Sequence, residues 1–343
     1  MRSSIHDVAK RAGVSISTVS RVLNRSANVK EDKVKAVMEA VEYLEYEPNQ
    51  FGRGLVKQTS NTLGIYFPHF SDYVFDNAYT LEFLKGVSKV ISDYDYSLLL
   101  INENEDYDES NKPQFEEYII QKRIDGLLLS SVPEGSLVES SLINLLDQKY
   151  PVAYVGKRLH KYGINVYAQY ENYMPQMFKN LYHKGHREIL VFLLIDQLKM
   201  FSQVEKTVAD NCPDLNIYVN VIPVEKKYNI KSLIINGVKE YVYKKGCTAI
   251  CSGLMEHTSI ILGACNEMQL SVPEEVSIIS VEHKKGDGQL LYPSVNAFYV
   301  PALEMGAELT RMLLDKLNGE KILEHSREFE TPYIYRKSVK KLE

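Results

Sequence analysis

The stretch that most restricts what this chain can become runs from Ile5 to Asn24, IHDVAKRAGVSISTVSRVLN. It predicts two short helices around a tight turn at Gly13, where a residue without a Cβ tolerates the backbone reversal. Ser4 with Asp7 three positions on forms a capping box for the first helix, and Ser15 is a natural N-cap for the second. With Ile16 at zero and about 100° per residue, Ser20, Asn24, Ser17 and Arg21 fall at roughly 40, 80, 100 and 140°. Val22, Val19 and Leu23 fall at roughly 240, 300 and 340°, an apolar edge that can pack on Val8, Ala9 and Ala12. The other side carries short hydroxyls, an arginine and an asparagine. Those are the donors and acceptors that reading base edges in a DNA major groove requires. An ordinary helical hairpin with its polar side in water is the alternative, and charge counts against it. Met1 to Met38 holds eight Lys or Arg and three acids, a net of +5, whereas the whole chain carries −5. A basic head on an acidic body points to phosphate attraction at one end only.

The 343 residues allow two or three domains, and 45% hydrophobic with 25% charged is an ordinary soluble composition. No run approaches the ~18 apolar residues of a membrane span, and the polar MRSSIHD is no signal core, so the expected compartment is the cytoplasm. Cys212, Cys247, Cys251 and Cys265 match no zinc spacing and read as buried reduced thiols. No cofactor is expected. The motifs of nucleotide-binding glycine loops and of serine hydrolases are absent. His183 and His186 stand three apart, but a helix C-terminal cap explains the second without a metal. The acidic run Glu103–Glu109 lacks calcium-loop spacing and reads as a solvated loop.

A third helix is expected over Glu31–Tyr46, with Val34, Val37, Met38, Val41 and Leu44 on one side and Pro48 closing it. Lys30 stands at its start in place of a capping side chain, with Asn28 and Glu31 as a substitute box. From Leu63 onward, short apolar runs alternate with helical patterns. Strands are expected at 63–67, 97–102, 126–130 and 152–155, with helices near 77–93, 111–123 and 136–148. A second set has strands at 189–192, 217–222, 248–251 and 276–281, with helices near 171–184, 230–244, 256–268 and 301–317. Such alternation means α/β layers with parallel sheets, here two lobes with a cleft near the strand C-termini.

DVAKRAGVSISTVSRVLN at 7–24, the third helix, the EYEPN exit at 45–49 and Leu55 resemble the headpiece of the LacI/GalR family of bacterial transcription regulators. Weaker marks extend the resemblance through the body: IDGLLLS at 124–130, PVAYVGK at 151–157, KGHREI at 184–189 and QLSVPEEVSII at 269–279. Two more are PSVNAFYVPALEMGAEL at 293–309 and PYIYRKSV at 332–339. The resemblance implies a helix-turn-helix headpiece (1–48), a hinge (49–60) and a two-lobed body like periplasmic sugar-binding proteins (61–343). Lobe 1 would hold about 61–160 and 290–320, and lobe 2 about 161–289 and 321–343. It also implies a non-enzymatic homodimer on a palindromic double-stranded operator, usually a repressor, adjusted by a small-molecule effector such as a sugar. Ser4, Ile16, Ser17, Ser20, Arg21 and Asn24 would meet the groove, with Ile5, Ser15 and Thr18 beside them. Asn28, Lys30, Lys33, Tyr46 and Asn49 would hold the backbone. Arg53 and Leu55 would act in the hinge, Leu55 as a minor-groove wedge. Here the hinge reads Gly52-Arg53-Gly54-Leu55, and each glycine costs a helix about 1 kcal/mol relative to alanine.

The body departs from the family where sugars are usually held. Gly253-Leu254, Glu282-His283 and Gln169-Tyr170 stand where carboxylates are customary, and 196–205 lacks the usual arginine. Asn77-Ala78-Tyr79 loosely matches a ligand-closing motif. By resemblance the effector site would include Asn77, Tyr79, Lys157, Gln169 and Glu282. These departures leave two readings: a less hydroxylated or more aromatic effector, with 24 tyrosines to draw on, or a body free of small-ligand control. An enzyme or a transport binding protein is the rival class, and the headpiece argues against both.

Overall fold

The computed structural model describes residues 3–23, 29–46, 59–70, 77–103, 112–168, 170–195, 197–223 and 229–342. The chain divides into two compact units, Met1–Asn61 with Lys122–Ile124, and Thr62–Gln121 with Asp125–Glu343.

The head is three helices: α1 (Ile5–Ala12), α2 (Ile16–Leu23) and α3 (Glu31–Tyr43). The capping box forms as expected. Ser4 Oγ accepts from the Asp7 N–H at 3.3 Å, and the Asp7 carboxylate accepts from the Ser4 N–H at 2.9 Å. Gly13 ends α1 in the left-handed region at φ 65°. Val8, Val19 and Val37 are fully buried together, with Ala9, Val22 and Ala40 close behind. Met38, expected in this core, is half exposed. It sits roughly 100° around the helix from Val37, so Ala40 takes the inward place instead. α3 also stops three residues early. Glu45 turns left-handed at φ 44°, and the N–H groups of Tyr46 and Glu45 reach back to the Val41 and Glu42 carbonyls at 3.0 and 3.1 Å. That pair of bonds closes the helix. Lys30 starts α3 without any side-chain cap.

The body holds two six-stranded sheets. The first contains β1 (Thr62–Phe70), β2 (Ser97–Glu103), β3 (Gly126–Leu129), β4 (Val152–Val155), β5 (Ile164–Ala168) and β11 (Ser326–Phe329). The second contains β6 (Glu188–Leu194), β7 (Asn216–Ile222), β8 (Ala249–Ser252), β9 (Ser277–Glu282), β10 (Asn296–Tyr299) and β12 (Tyr333–Ile334). Their orders are β11-β5-β4-β3-β1-β2 and β12-β10-β9-β8-β6-β7. Every pairing is parallel except β10 with β12. Helices α4 (Ala78–Ile91), α5 (Phe115–Ile120), α6 (Leu137–Asp147) and α11 (Ala302–Leu317) accompany the first sheet. α7 (Tyr170–His183), α8 (Gln197–Asn211), α9 (Ile230–Gly237) and α10 (Met255–Glu267) accompany the second. Central strands such as β3 and β9 are buried along their whole length, as strands covered on both faces must be.

Sheet membership differs from the division expected of the two lobes. β5 and β11 hydrogen-bond each other in the first sheet, and β10 bonds β9 in the second. The late crossings between sheets therefore lie at 299–302 and 329–333 rather than near 290 and 320. The four cysteines are free and buried. Burial pushes the Cys247 and Cys265 thiols up to about 12, so both stay protonated at neutral pH. His186 is fully buried between Thr248 Oγ1 (2.9 Å) and the Lys340 carbonyl (3.2 Å), while His183 faces solvent. The carbonyl requires a proton on Nε2, leaving Nδ1 to accept from Thr248. The His186 ring thus ties β8's lead-in to Lys340, while its backbone N–H reaches the Leu181 carbonyl at 3.1 Å and closes α7 as expected.

Candidate nucleic-acid interface and the cleft of the body

In the head, α2 presents one side outward. Ser15, Ile16, Ser17 and Arg21 are exposed, and Thr18 and Ser20 half-buried. Ser15 Oγ accepts from the Thr18 N–H at 3.2 Å and pairs with the Ser17 and Thr18 hydroxyls at 2.8 and 2.9 Å. Three hydroxyls therefore ring the positive end of α2, each able to donate or accept, beside amides suited to a phosphate. Arg21 is exposed one turn further on and has no hydrogen-bond or ion-pair partner among the described residues. Its fork stays available for the O6 and N7 acceptors of a guanine. Lys30 and Lys33 are exposed at the start of α3, where a passing phosphate could reach them. Ser4 and Ile5 are partly buried at the start of α1. Tyr46 packs against the core instead of standing clear of it. Asn24, Asn28, Asn49, Arg53 and Leu55 lie outside the described residues. One contact was not visible to pattern reading: the Arg11 guanidinium lies 3.2 Å from the centre of the Tyr43 ring, clamping α1 to α3.

Of the expected effector residues, Asn77, Tyr79, Lys157 and Glu282 are described. Asn77 Oδ1 accepts from the Thr80 N–H at 2.8 Å and so caps α4. Tyr79 donates to the Ser130 carbonyl at 3.2 Å and sets its ring edge-on to His283, with centres 5.4 Å apart. Burial holds His283 down to about 4, even with the Glu282 carboxylate nearby, so this ring is neutral at pH 7. Lys157 is exposed past the end of β4, near Tyr167, whose hydroxyl donates to Glu328 at 3.1 Å. Gln169 lies outside the described residues.

Glu282 corrects the sequence reading most sharply. It is fully buried, and its Oε1 accepts from Arg336 Nη2 at 3.0 Å and from the Gly286 N–H at 3.3 Å. Its Oε2 accepts from the Gly288 N–H at 3.0 Å. The carboxylate is used to hold the loop after β9. Across the strand ends, Gly253 leaves just enough room for Gln197, whose amide oxygen would sit 2.7 Å from any Cβ there. The adjoining cavity, bordered by Tyr173, Met174, Cys251 and Val281, has about 10 Å³ of free space, which suits one water rather than a sugar.

The model of bacterial regulatory proteins of the lacI family matches residues 4–49, and that of a periplasmic binding protein-like domain matches residues 178–339. The chain belongs to the lacI family. It is accordingly a DNA-binding transcriptional regulator, with a helix-turn-helix head and a periplasmic-binding-protein-like body. Among its lacI-family relatives is the HTH-type transcriptional regulator RegA of Clostridium saccharobutylicum, 27% identical over 99% of this chain and 100% of that protein. Catabolite control protein A of Priestia megaterium is 26% identical, covering 94% of this chain and 95% of its own. In fold, the chain is similar to the Lac repressor dimer bound to operator and the anti-inducer ONPF, with TM-score 0.77 at 14% identity. That match covers 99% of this chain and 100% of the other. A complex of the transcriptional regulator CelR with cellobiose matches at TM-score 0.65 and 19% identity, over 98% and 100% of the two chains. Among the described residues no helix is long and apolar enough to cross a membrane.

Proposed function

We propose that this lacI-family chain is a cytoplasmic, non-enzymatic repressor that binds a palindromic operator as a homodimer, its DNA affinity set by the arrangement of the two halves of its body. The observation that carries the reading is the outward side of α2, where Arg21, Ser15 and Ser17 are exposed, with Ser20 half-buried beside them, over a packed valine core. A fold neighbour that is a dimer bound to its operator supports the same reading. The head, 1–48, grips DNA through these side chains with Ser4, Ile5, Ile16, Thr18, Lys30 and Lys33 beside them. Residues 49–60 transmit the state of the body (61–343) through Arg53 and Leu55. A ligand that favours the arrangement DNA disfavours weakens DNA binding by the same factor by which DNA weakens binding of that ligand.

Selection of a preferred duplex by the purified protein, followed by Arg21→Ala, tests the proposal. The substitution should cost about 1–3 kcal/mol at that duplex, roughly fivefold to 150-fold, and relax the preference at one base pair. Full affinity with unchanged preference would remove Arg21 from the groove.

The effector proposed for the cleft is poorer in hydroxyls than a hexose. A second reading, a body under no small-ligand control, is favoured by Glu282, whose oxygens are taken by Arg336 and two backbone amides. Calorimetry against plain and phosphorylated hexoses should give no tight binding. A tightly bound hexose would overturn both readings, since the carboxylates such a sugar needs are missing or engaged.

A further inference from the structure

Glu256 lies in the first turn of α10, beside the second sheet, yet its Oε1 accepts from the Ala78 N–H of α4, beside the first sheet, at 2.8 Å. The two residues are 178 positions apart in the chain. Ala78 is the first residue of α4, so its N–H has no acceptor within the helix. Asn77 satisfies the Thr80 amide instead, and the Glu256 carboxylate supplies the acceptor Ala78 lacks. A negative group at that end of α4 also suits the helix dipole. The bond is placed where the cleft between the halves would open, one residue from the Tyr79–His283 ring contact. Gln203 Nε2 donates to Glu134 across the same divide at 3.4 Å.

We infer that Glu256 is an internal ligand: its carboxylate holds the two halves of the body closed with no small molecule bound. The resting state is then the closed one, and an effector acts by displacing Glu256 from the Ala78 amide, not by drawing open halves together. This inference rests on the proposed function only for its consequence at DNA. The contact itself concerns the body alone, so its test needs no duplex.

The test compares the full-length wild-type protein with Glu256→Ala and Glu256→Gln. Amide exchange resolved to Ala78 and the radius of gyration from small-angle scattering are measured without ligand, with the melting temperature as the check on folding. Glu256→Ala should speed exchange at Ala78 at least tenfold and enlarge the radius of gyration. Glu256→Gln keeps an acceptor oxygen and should stay compact with a slowly exchanging Ala78. Unchanged exchange in Glu256→Ala would show that the bond does not form. Faster exchange at unchanged radius would show that it closes nothing, and a glutamine variant as open as the alanine one would refute the assignment of that bond to the latch. Failure at operator DNA, with these results intact, would touch only the proposed function.

Discussion

Glu282→Ala is expected to lower the stability of the body by about 3–5 kcal/mol, the cost of leaving one partner of a buried ion pair without the other. The pair is enclosed on both sides: the Glu282 side chain is fully buried and that of Arg336 only 6% exposed. Removing the carboxylate strands a guanidinium whose remaining bond shown here is the one Nη1 makes to the Val295 carbonyl at 2.6 Å. It also frees the amides of Gly286 and Gly288, which hold the loop between β9 and β10. Urea unfolding should show the midpoint falling with an unchanged slope, since the exposed surface is the same. Replacing both partners, Glu282→Leu with Arg336→Met, should recover much of the loss, because no uncompensated charge remains. A single variant within about 0.5 kcal/mol of wild type, the usual range of surface changes, would mean that this pair does not organise the loop.

Gly86→Ala is the second large effect, and its sign is diagnostic. In an open helix the change would stabilise by about 1 kcal/mol. Here a Cβ on Gly86 would lie 2.0 Å from the Leu303 carbonyl oxygen and 2.7 Å from the Ala307 nitrogen. Gly306 answers from the other helix, where a Cβ would meet the Phe83 carbonyl oxygen at 2.3 Å. α4 and α11 therefore cross with their backbones in contact, and neither can yield without moving the other. A loss of about 3 kcal/mol, the upper end for overpacking, is expected in chemical denaturation. A Gly86→Ala protein more stable than wild type would contradict the close crossing.

The parts of this fold that were legible beforehand share a physical cause. β3 and β9 are covered on both faces, and β3 so appears as the unbroken run GLLL, while β9 carries Ile278, Ile279 and Val281 within SIISVE. The edge strands were not legible. β11 reads SREF with half its residues exposed, and β12 is two residues long. α8 was missed for a related reason. α8 buries only Phe201, Val204 and Val208 in a polar stretch, too narrow a stripe to stand out. In the head, angular position alone sorted Val19 and Val22 from Ser17 and Arg21, because a three-helix core admits one inward side per helix.

The cleft shows where pattern reading ends. Glu282 was correctly placed at a strand end, but its use depends on Arg336, 54 positions later, which no local spacing reveals. Glu256 drew no attention because its acceptor role depends on α4 beginning at Ala78 and on the two halves meeting there. The absent carboxylates at Gly253 and Leu254 were legible. Gln197 filling that space was not.

The most direct measurement is the affinity of the purified full-length protein for a selected palindrome and for scrambled duplexes of equal length, at cell-like salt. Selective binding, at least ~10³-fold tighter to the palindrome, is the expected result for a reader of base edges. Equal affinity for every duplex, with and without candidate ligands, would contradict the claim that α2 reads DNA.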